Sequence, residues 1–128
     1  MVHSLHSTVF IIDDDLVVRE STAILLETQG LRSALFTTAD DFLSKTENSI
    51  KGCVISDYHL KGDYNGIGLL QRMQDLCYRI PVVIVSGSLS KAASAKAEES
   101  GAYAVIDKPY YPPILIETVK SALKTNRL

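Results

Sequence analysis

Three consecutive aspartates, Asp13-Asp14-Asp15, follow the apolar run Val9-Phe10-Ile11-Ile12. A second apolar run, Cys53-Val54-Ile55-Ser56, stops on Asp57. A third, Val82–Val85, stops on Ser86, and a fourth, Ala104-Val105-Ile106, runs through Asp107 to Lys108. If the ends of these runs meet, they assemble carboxylates, a hydroxyl and an ammonium. Two carboxylates about 4 Å apart repel by about 4 kcal/mol at an effective dielectric near 20. A cluster of Asp13, Asp14 and Asp57 therefore shares protons or binds a hard cation. Few ligands, all oxygen, at an open edge suit Mg²⁺ with retained waters better than Zn²⁺. An aspartate carboxylate is also a competent nucleophile toward phosphorus. The charge on a transferring phosphoryl group suits a divalent cation, Lys108 and Ser86 as clamps.

The elements that must position these groups are legible from periodicity. Thr8–Ile12, Ser33–Phe36, Cys53–Ser56, Val82–Val85 and Ala104–Asp107 are short apolar runs, which suits parallel strands covered on both faces. Between them the spacing predicts helices over Leu16–Gln29, Ala39–Lys45, Ile67–Cys77 and Lys91–Ser100, and a last one from Pro112 or Pro113 to Lys124. In the first helix, Leu16, Val17, Ala23, Ile24 and Leu25 are the expected buried side, and Gly30 is a C-cap signal. Thr38 is the expected N-cap of the second helix, with Asp40 and Asp41 in its first turn. Ile67, Leu70, Met73 and Cys77 form one face of the third. The fourth packs mainly through Ala92, Ala93, Ala95 and Ala97. Because a buried CH₂ is worth about 0.8 kcal/mol, it is expected to be the easiest helix to shift. The last buries Ile114, Leu115, Thr118, Val119, Ala122 and Leu123. Strands alternating with crossover helices predict a parallel, doubly wound α/β sheet with right-handed connections. Ligands in such sheets bind outside the carboxyl ends of the strands, where all the polar groups above lie.

Bulk properties bound the function. A chain of 128 residues with 46% hydrophobic and 22% charged residues is expected to form one domain. The expected boundaries are a loose tail over 1–7, the domain over 8–124 and a tail or linker start over 125–128. A net charge of −2 gives no basic surface for nucleic acid. No apolar run approaches the roughly 20 residues of a membrane helix, and Met1–Ser7 lacks the pattern of a signal peptide. Cys53 and Cys77 read as buried hydrophobes in a reducing compartment, so a cytoplasmic location is expected. His3 and His6 read as part of the tail rather than as a metal site.

The order Asp-Asp, Asp, Ser and Lys at the ends of strands one, three, four and five resembles the receiver domain of two-component response regulators. The motifs are Ile-Ile-Asp13-Asp14, Ile-Ser-Asp57, Ile-Val-Ser86-Gly87 and Asp-Lys108-Pro109, and the resemblance spans about residues 8–124. It implies a flavodoxin-like (βα)5 fold with strand order 2-1-3-4-5. It implies that Asp57 accepts a phosphoryl group from a sensor histidine kinase or phosphotransfer protein, with Mg²⁺ or Mn²⁺ as cofactor. Asp14 and Asp57 would be metal ligands with the backbone carbonyl of His59, and Asp13 would support the metal mostly through water. Ser86 and Lys108 would contact the phosphoryl group, and Lys108–Pro109 would be cis. Phosphorylation would change the face made by helix four, strand five and helix five, through which a homodimer could also form. The domain would not be an enzyme beyond its own phosphorylation and dephosphorylation. His59 and Ser88, two residues past Asp57 and Ser86, would flank the path of attacking water and set the lifetime of the phosphorylated form. Gly87, Val105 and Pro109 are further modulating positions.

Some features depart from that pattern. Val105 stands three residues before Lys108, where an aromatic is usual. Tyr103, two residues earlier on the same strand face, is about 6–7 Å farther off. The loop after Asp57 carries Lys61 where proline is common, and Asp63. Asp15 reads as a charge at the start of helix one. Tyr110 reads as packing, and Tyr111 as either packing or partner surface. Asp13-Asp14-Asp15-Leu16-Val17 also fits the Asp-x-Asp-x-Val signature of haloacid-dehalogenase-like phosphatases, with Asp13 as nucleophile and Asp15 as general acid. That alternative leaves Asp57 unused and lacks the acidic pair expected after Lys108, Glu117 being the only acid beyond it. An FMN module on the same fold would place its phosphate loop among three aspartates, which repel an anion.

Overall fold

The computed structural model describes residues 7–87 and 91–125. His3, His6, Ser88 and most of the expected tails lie outside these residues. In chain order the elements are β1 (Thr8–Ile12), α1 (Leu16–Glu27), β2 (Ser33–Phe36), α2 (Ala39–Lys45), β3 (Gly52–Asp57), α3 (Gly66–Asp75), β4 (Val82–Ser86), α4 (Lys91–Glu99), β5 (Ala104–Asp107) and α5 (Pro112–Thr125). The strands form one sheet in the order β2-β1-β3-β4-β5, and every neighbouring pair is parallel. Both the doubly wound α/β class and the order 2-1-3-4-5 are as expected.

The strands are apolar throughout because each face of the sheet is covered. Phe10, Ile12, Val54, Val82 and Ile84 meet Phe42 of α2 and Leu69, Leu70 and Met73 of α3. The alternate residues Val9, Ile11, Cys53, Ile55, Val83, Val85 and Ile106 meet Leu26 of α1 and Leu115, Val119 and Ala122 of α5. Phe10, Phe36 and Phe42 form an aromatic cluster with ring centroids 5.4–6.4 Å apart. Asp15, Thr38 and Asn65 cap α1, α2 and α3 by accepting from backbone N–H groups of the first turn.

The structure corrects several expected faces and ends. In α1, Leu16, Val17 and Ile24 are 55%, 71% and 62% exposed, while Thr22 and Leu26 are buried. The helix turns the row through Thr22 and Leu26 to the sheet, and the apolar residues off that row stay outside. The third helix stops at Asp75, so Cys77 lies outside it with φ 66° and is exposed rather than buried. Ala92 and Ala95 are exposed, and Ala97 is the buried residue of α4. Its alanine face therefore buries less apolar area than its sequence suggests. Its carboxyl end is tied to α3 by Gln74 Nε2 donating to the Ser100 carbonyl, 2.7 Å away. Ile114 is 47% exposed on α5. Tyr103 precedes β5, and its hydroxyl pairs with Ser121 Oγ of α5 at 2.7 Å. Its amide donates to the Val82 carbonyl at 2.7 Å, so it is already bonded to β4 while its hydroxyl reaches α5.

Gly52 opens β3 with φ 134°, and a Cβ there would overlap the Thr8 carbonyl of the neighbouring strand. Gly52→Ala is expected to cost about 3 kcal/mol or more in urea unfolding, because strain and overlap both act between two buried strands. A loss under about 1 kcal/mol would contradict this packing.

Candidate functional site

The parallel ladders bring the polar strand ends together. Ile12 pairs with Ser56, so Asp13 and Asp57 are the next residues on adjacent strands. Asp57 pairs with Val85, and Ser86 pairs with Asp107. The Lys108 amide then donates to the Ser86 carbonyl at 2.9 Å. Side-chain alternation sorts the groups between faces. Asp13, Asp57 and Lys108 continue the rows that face α1 and α5. Ser86 continues the row through Val82 and Ile84, on the face where Val105 packs.

Carboxylate oxygens of Asp13, Asp14 and Asp57 all lie within 4.8 Å of one another. Asp13 is buried, whereas Asp14 and Asp57 are partly exposed. One oxygen of Asp13 accepts from the Asp15 amide at 2.9 Å. The other lies 3.9 Å from Lys108 Nζ. Asp57 Oδ1 has a long contact, 3.4 Å, with the His59 amide. The Asp13 carboxyl is pushed above its ordinary range, first by burial and further by the charges of Asp57 and Asp14; the Asp15 amide and Lys108 act against this. Three oxygen donors crowded in this way fit a hard divalent cation such as Mg²⁺, with room for water among its ligands. Asp63 lies outside the cluster and is exposed.

Other predicted residues fall into place around it. Ser86 is fully buried. His59 is exposed, and its ring meets Tyr58 edge-on with centroids 4.8 Å apart. The Lys108–Pro109 peptide is cis. Gly87 borders Lys108. Tyr110 packs against the α1/α5 layer, while Tyr111 is 70% exposed.

A family model, that of the response regulator receiver domain, matches residues 9–120. The chain belongs to this family. It is 32% identical over 121 residues to the transcriptional regulatory protein TdiR of Thauera aromatica, covering 94% of this chain and 53% of TdiR. It is likewise 32% identical to FixJ of Bradyrhizobium diazoefficiens, covering 91% of this chain and 56% of FixJ. Among solved structures, it is similar to a CheY-like receiver domain protein from Methanospirillum hungatei. That match has TM-score 0.83 and 31% identity, and covers 94% of this chain and 95% of the other. The response regulator StyR matches with TM-score 0.87 and 28% identity, over 94% of this chain and 61% of StyR. The chain thus spans about half the length of the curated relatives it matches. As a receiver domain it has a phosphoacceptor role in signal transduction.

The phosphatase alternative does not survive. The Asp15 carboxylate accepts from the amides of Val17 and Val18 as the N-cap of α1, is exposed, and does not join the cluster. The family match is to receivers along almost the whole chain.

Two contributors to the site were missed in the sequence. Gly66 presses so closely on β3 that a Cβ would lie 3.0 Å from the Asp57 carbonyl and the Tyr58 Cα. Its glycine was visible, but not what it touches. Arg19 Nη1 donates to the Asp13 carbonyl at 2.7 Å, and no spacing rule signals such a reach.

The raised Asp13 carboxyl has a definite sign in stability. The native state holds this proton more tightly than the unfolded chain does. The contribution is therefore fully present below the ordinary carboxyl range and is lost as pH rises through the folded value. In EDTA, Asp13→Asn is expected to flatten this part of the pH–stability curve and to melt higher than wild type at pH about 7. Each kcal/mol relieved corresponds to roughly 2–8 °C. Thermal melts across pH check it; an Asp13→Asn protein melting lower at neutral pH would contradict it.

Proposed function

We propose that Asp57 accepts a phosphoryl group from a phosphohistidine donor, and that the domain uses the acyl phosphate to change an output surface. The observation that carries this reading is the division of labour among the clustered carboxylates. Asp13 is buried, with one oxygen committed to the Asp15 amide. Asp57 is partly exposed at the end of the central strand, and the His59 amide lies a loose 3.4 Å from its Oδ1. An oxygen of Asp57 attacks phosphorus, an O–P bond forms and the N–P bond breaks. The electron pair leaves with the donor imidazole, which takes a proton from solvent. Water later attacks the same phosphorus, releasing inorganic phosphate and restoring the carboxylate. No other substrate is turned over, so the domain is a signalling element rather than an enzyme.

Asp14, Asp57 and the His59 backbone carbonyl would hold Mg²⁺ or Mn²⁺, with Asp13 acting mostly through water. The cation would neutralise charge on the carboxylates and on the phosphoryl oxygens. Lys108 supplies the protein's own cation on the same face as Asp57, and its loose 3.9 Å pairing with Asp13 leaves it able to turn to a phosphoryl oxygen. Ser86 supplies a hydroxyl from the neighbouring strand, next to Gly87. An apolar groove of about 470 Å³, lined by Val17, Val18, Ser21, Thr22, Lys108, Pro109 and Tyr110, opens beside the lysine. It suits the docking of a sensor kinase or phosphotransfer protein.

Loss of the Ser86 hydroxyl's original position would be felt next along the same face at Val105, and beyond it at weakly held α4. Exposed Tyr103, Tyr111 and Ile114 favour the α4-β5-α5 side as the output and homodimer surface. TdiR and FixJ are named transcriptional regulatory proteins. Control of transcription by another part of the parent protein is the favoured output, without nucleic-acid binding by this acidic domain. No helix among the described residues is long and apolar enough to cross a membrane. We place the domain in the cytoplasm with its donor.

Incubation with acetyl phosphate and Mg²⁺ is expected to add one phosphoryl group, read by intact mass. Asp57→Asn abolishes it, as does EDTA. Labelling that persists in Asp57→Asn would sink the assignment. His59→Ala is expected to change the half-life of the phosphorylated form severalfold, because the exposed ring flanks the water's approach; an unchanged half-life would exclude His59 from this role. Ser88, assigned the same role, lies outside the described residues, and Ser88→Ala tests it in the same assay.

A further inference from the structure

We infer that Arg19 is a positioning residue for the divalent cation, acting through the peptide that joins Asp13 to Asp14. This rests on the reading of Asp13, Asp14 and Asp57 as a cation site and adds a residue outside the cluster. Asp13 lies just beyond the last ladder pairs of β1, Ile12 with Phe36 and Ile12 with Ser56. Its amide still reaches the sheet by donating to the Phe36 carbonyl at 3.1 Å. Its carbonyl needs a partner from elsewhere, as buried backbone groups do. Arg19, in the first turns of α1, reaches back six residues and donates from Nη1 at 2.7 Å. The guanidinium is charged and half-buried, so this is a short, charge-assisted bond.

The remaining bonds of the turn leave little freedom. The Asp13 carboxylate accepts from the Asp15 amide, the Asp15 carboxylate accepts from Val17 and Val18, and the Arg19 amide donates to the Asp15 carbonyl at 3.0 Å. The Asp14 carboxylate takes part in none of these bonds and stays available to a cation. With the Asp13 carbonyl fixed by Arg19, the plane of the Asp13–Asp14 peptide is set, and with it the direction in which Asp14 leaves the backbone.

The sign of one measurement separates positioning from charge. A guanidinium near a cation site repels the cation, so by charge alone removing Arg19 tightens Mg²⁺ binding. If Arg19 positions Asp14, removing it weakens binding, by roughly 10–100-fold, as for other outer partners of metal ligands. Mg²⁺ binding to the unphosphorylated full chain is measured by titration calorimetry for wild type, Arg19→Ala, Arg19→Met and Arg19→Lys. Arg19→Met keeps the packing stem and guards against a misfolded alanine variant. The expected result is weakening of roughly 10-fold or more in Arg19→Met and Arg19→Ala, with partial recovery in Arg19→Lys, which keeps one donor. Wild-type or tighter binding in Arg19→Met overturns the inference while leaving the cation site intact. A wild-type chain that binds no Mg²⁺ overturns both.

Discussion

Like charges forced together at the carboxyl edge of the sheet are the constraint on which the rest of this structure depends. β1 and β3 are hydrogen-bonded in register, and the residue after the last pair is aspartate on both strands. Neither strand can drift to relieve the repulsion, because both are inside the sheet and covered on both faces. The strain appears instead in the Asp13 carboxyl, which burial and its neighbours hold above the ordinary range. A site in that condition would gain by taking up a cation, which would neutralise the charge that opposes an anionic phosphoryl group.

The alternation of the pleat puts the clustered carboxylates and Ser86 on opposite faces. Asp13, Asp57 and Lys108 belong to the rows facing α1 and α5, where the groove beside Tyr110 opens. Ser86 and Val105 belong to the opposite rows. The hydroxyl therefore lies on the α4 side of the sheet, on the face opposite the carboxylates. Val105 packs there as a compact aliphatic group. In α4, Ala97 is the buried residue, and the clasp from Gln74 holds its carboxyl end.

Much of the architecture was legible because each strand is a short apolar run and each helix has a recognisable start. Thr38 marked the start of α2, and Pro112 opens α5 as read. Helix faces were less legible. Val17 and Ile24 are as apolar as the residues that do face the sheet, and hydrophobicity alone cannot say which row of α1 docks. Cys77 suited the apolar row of α3, but the helix ended before reaching it.

The sequence by itself determined the doubly wound α/β class and the set of groups at the strand ends. Local patterning encodes strands and helices, and parallel crossovers leave one edge for their carboxyl ends to share. Tertiary structure decided how those groups divide their work. Which aspartate is buried, which caps a helix and which stays open depends on contacts across strands and turns. Asp15 spends its carboxylate on α1, Asp13 is held between the Asp15 amide and Lys108, and Arg19 secures the carbonyl behind them. Three identical side chains in a row carry no such distinction until the fold gives each a different environment.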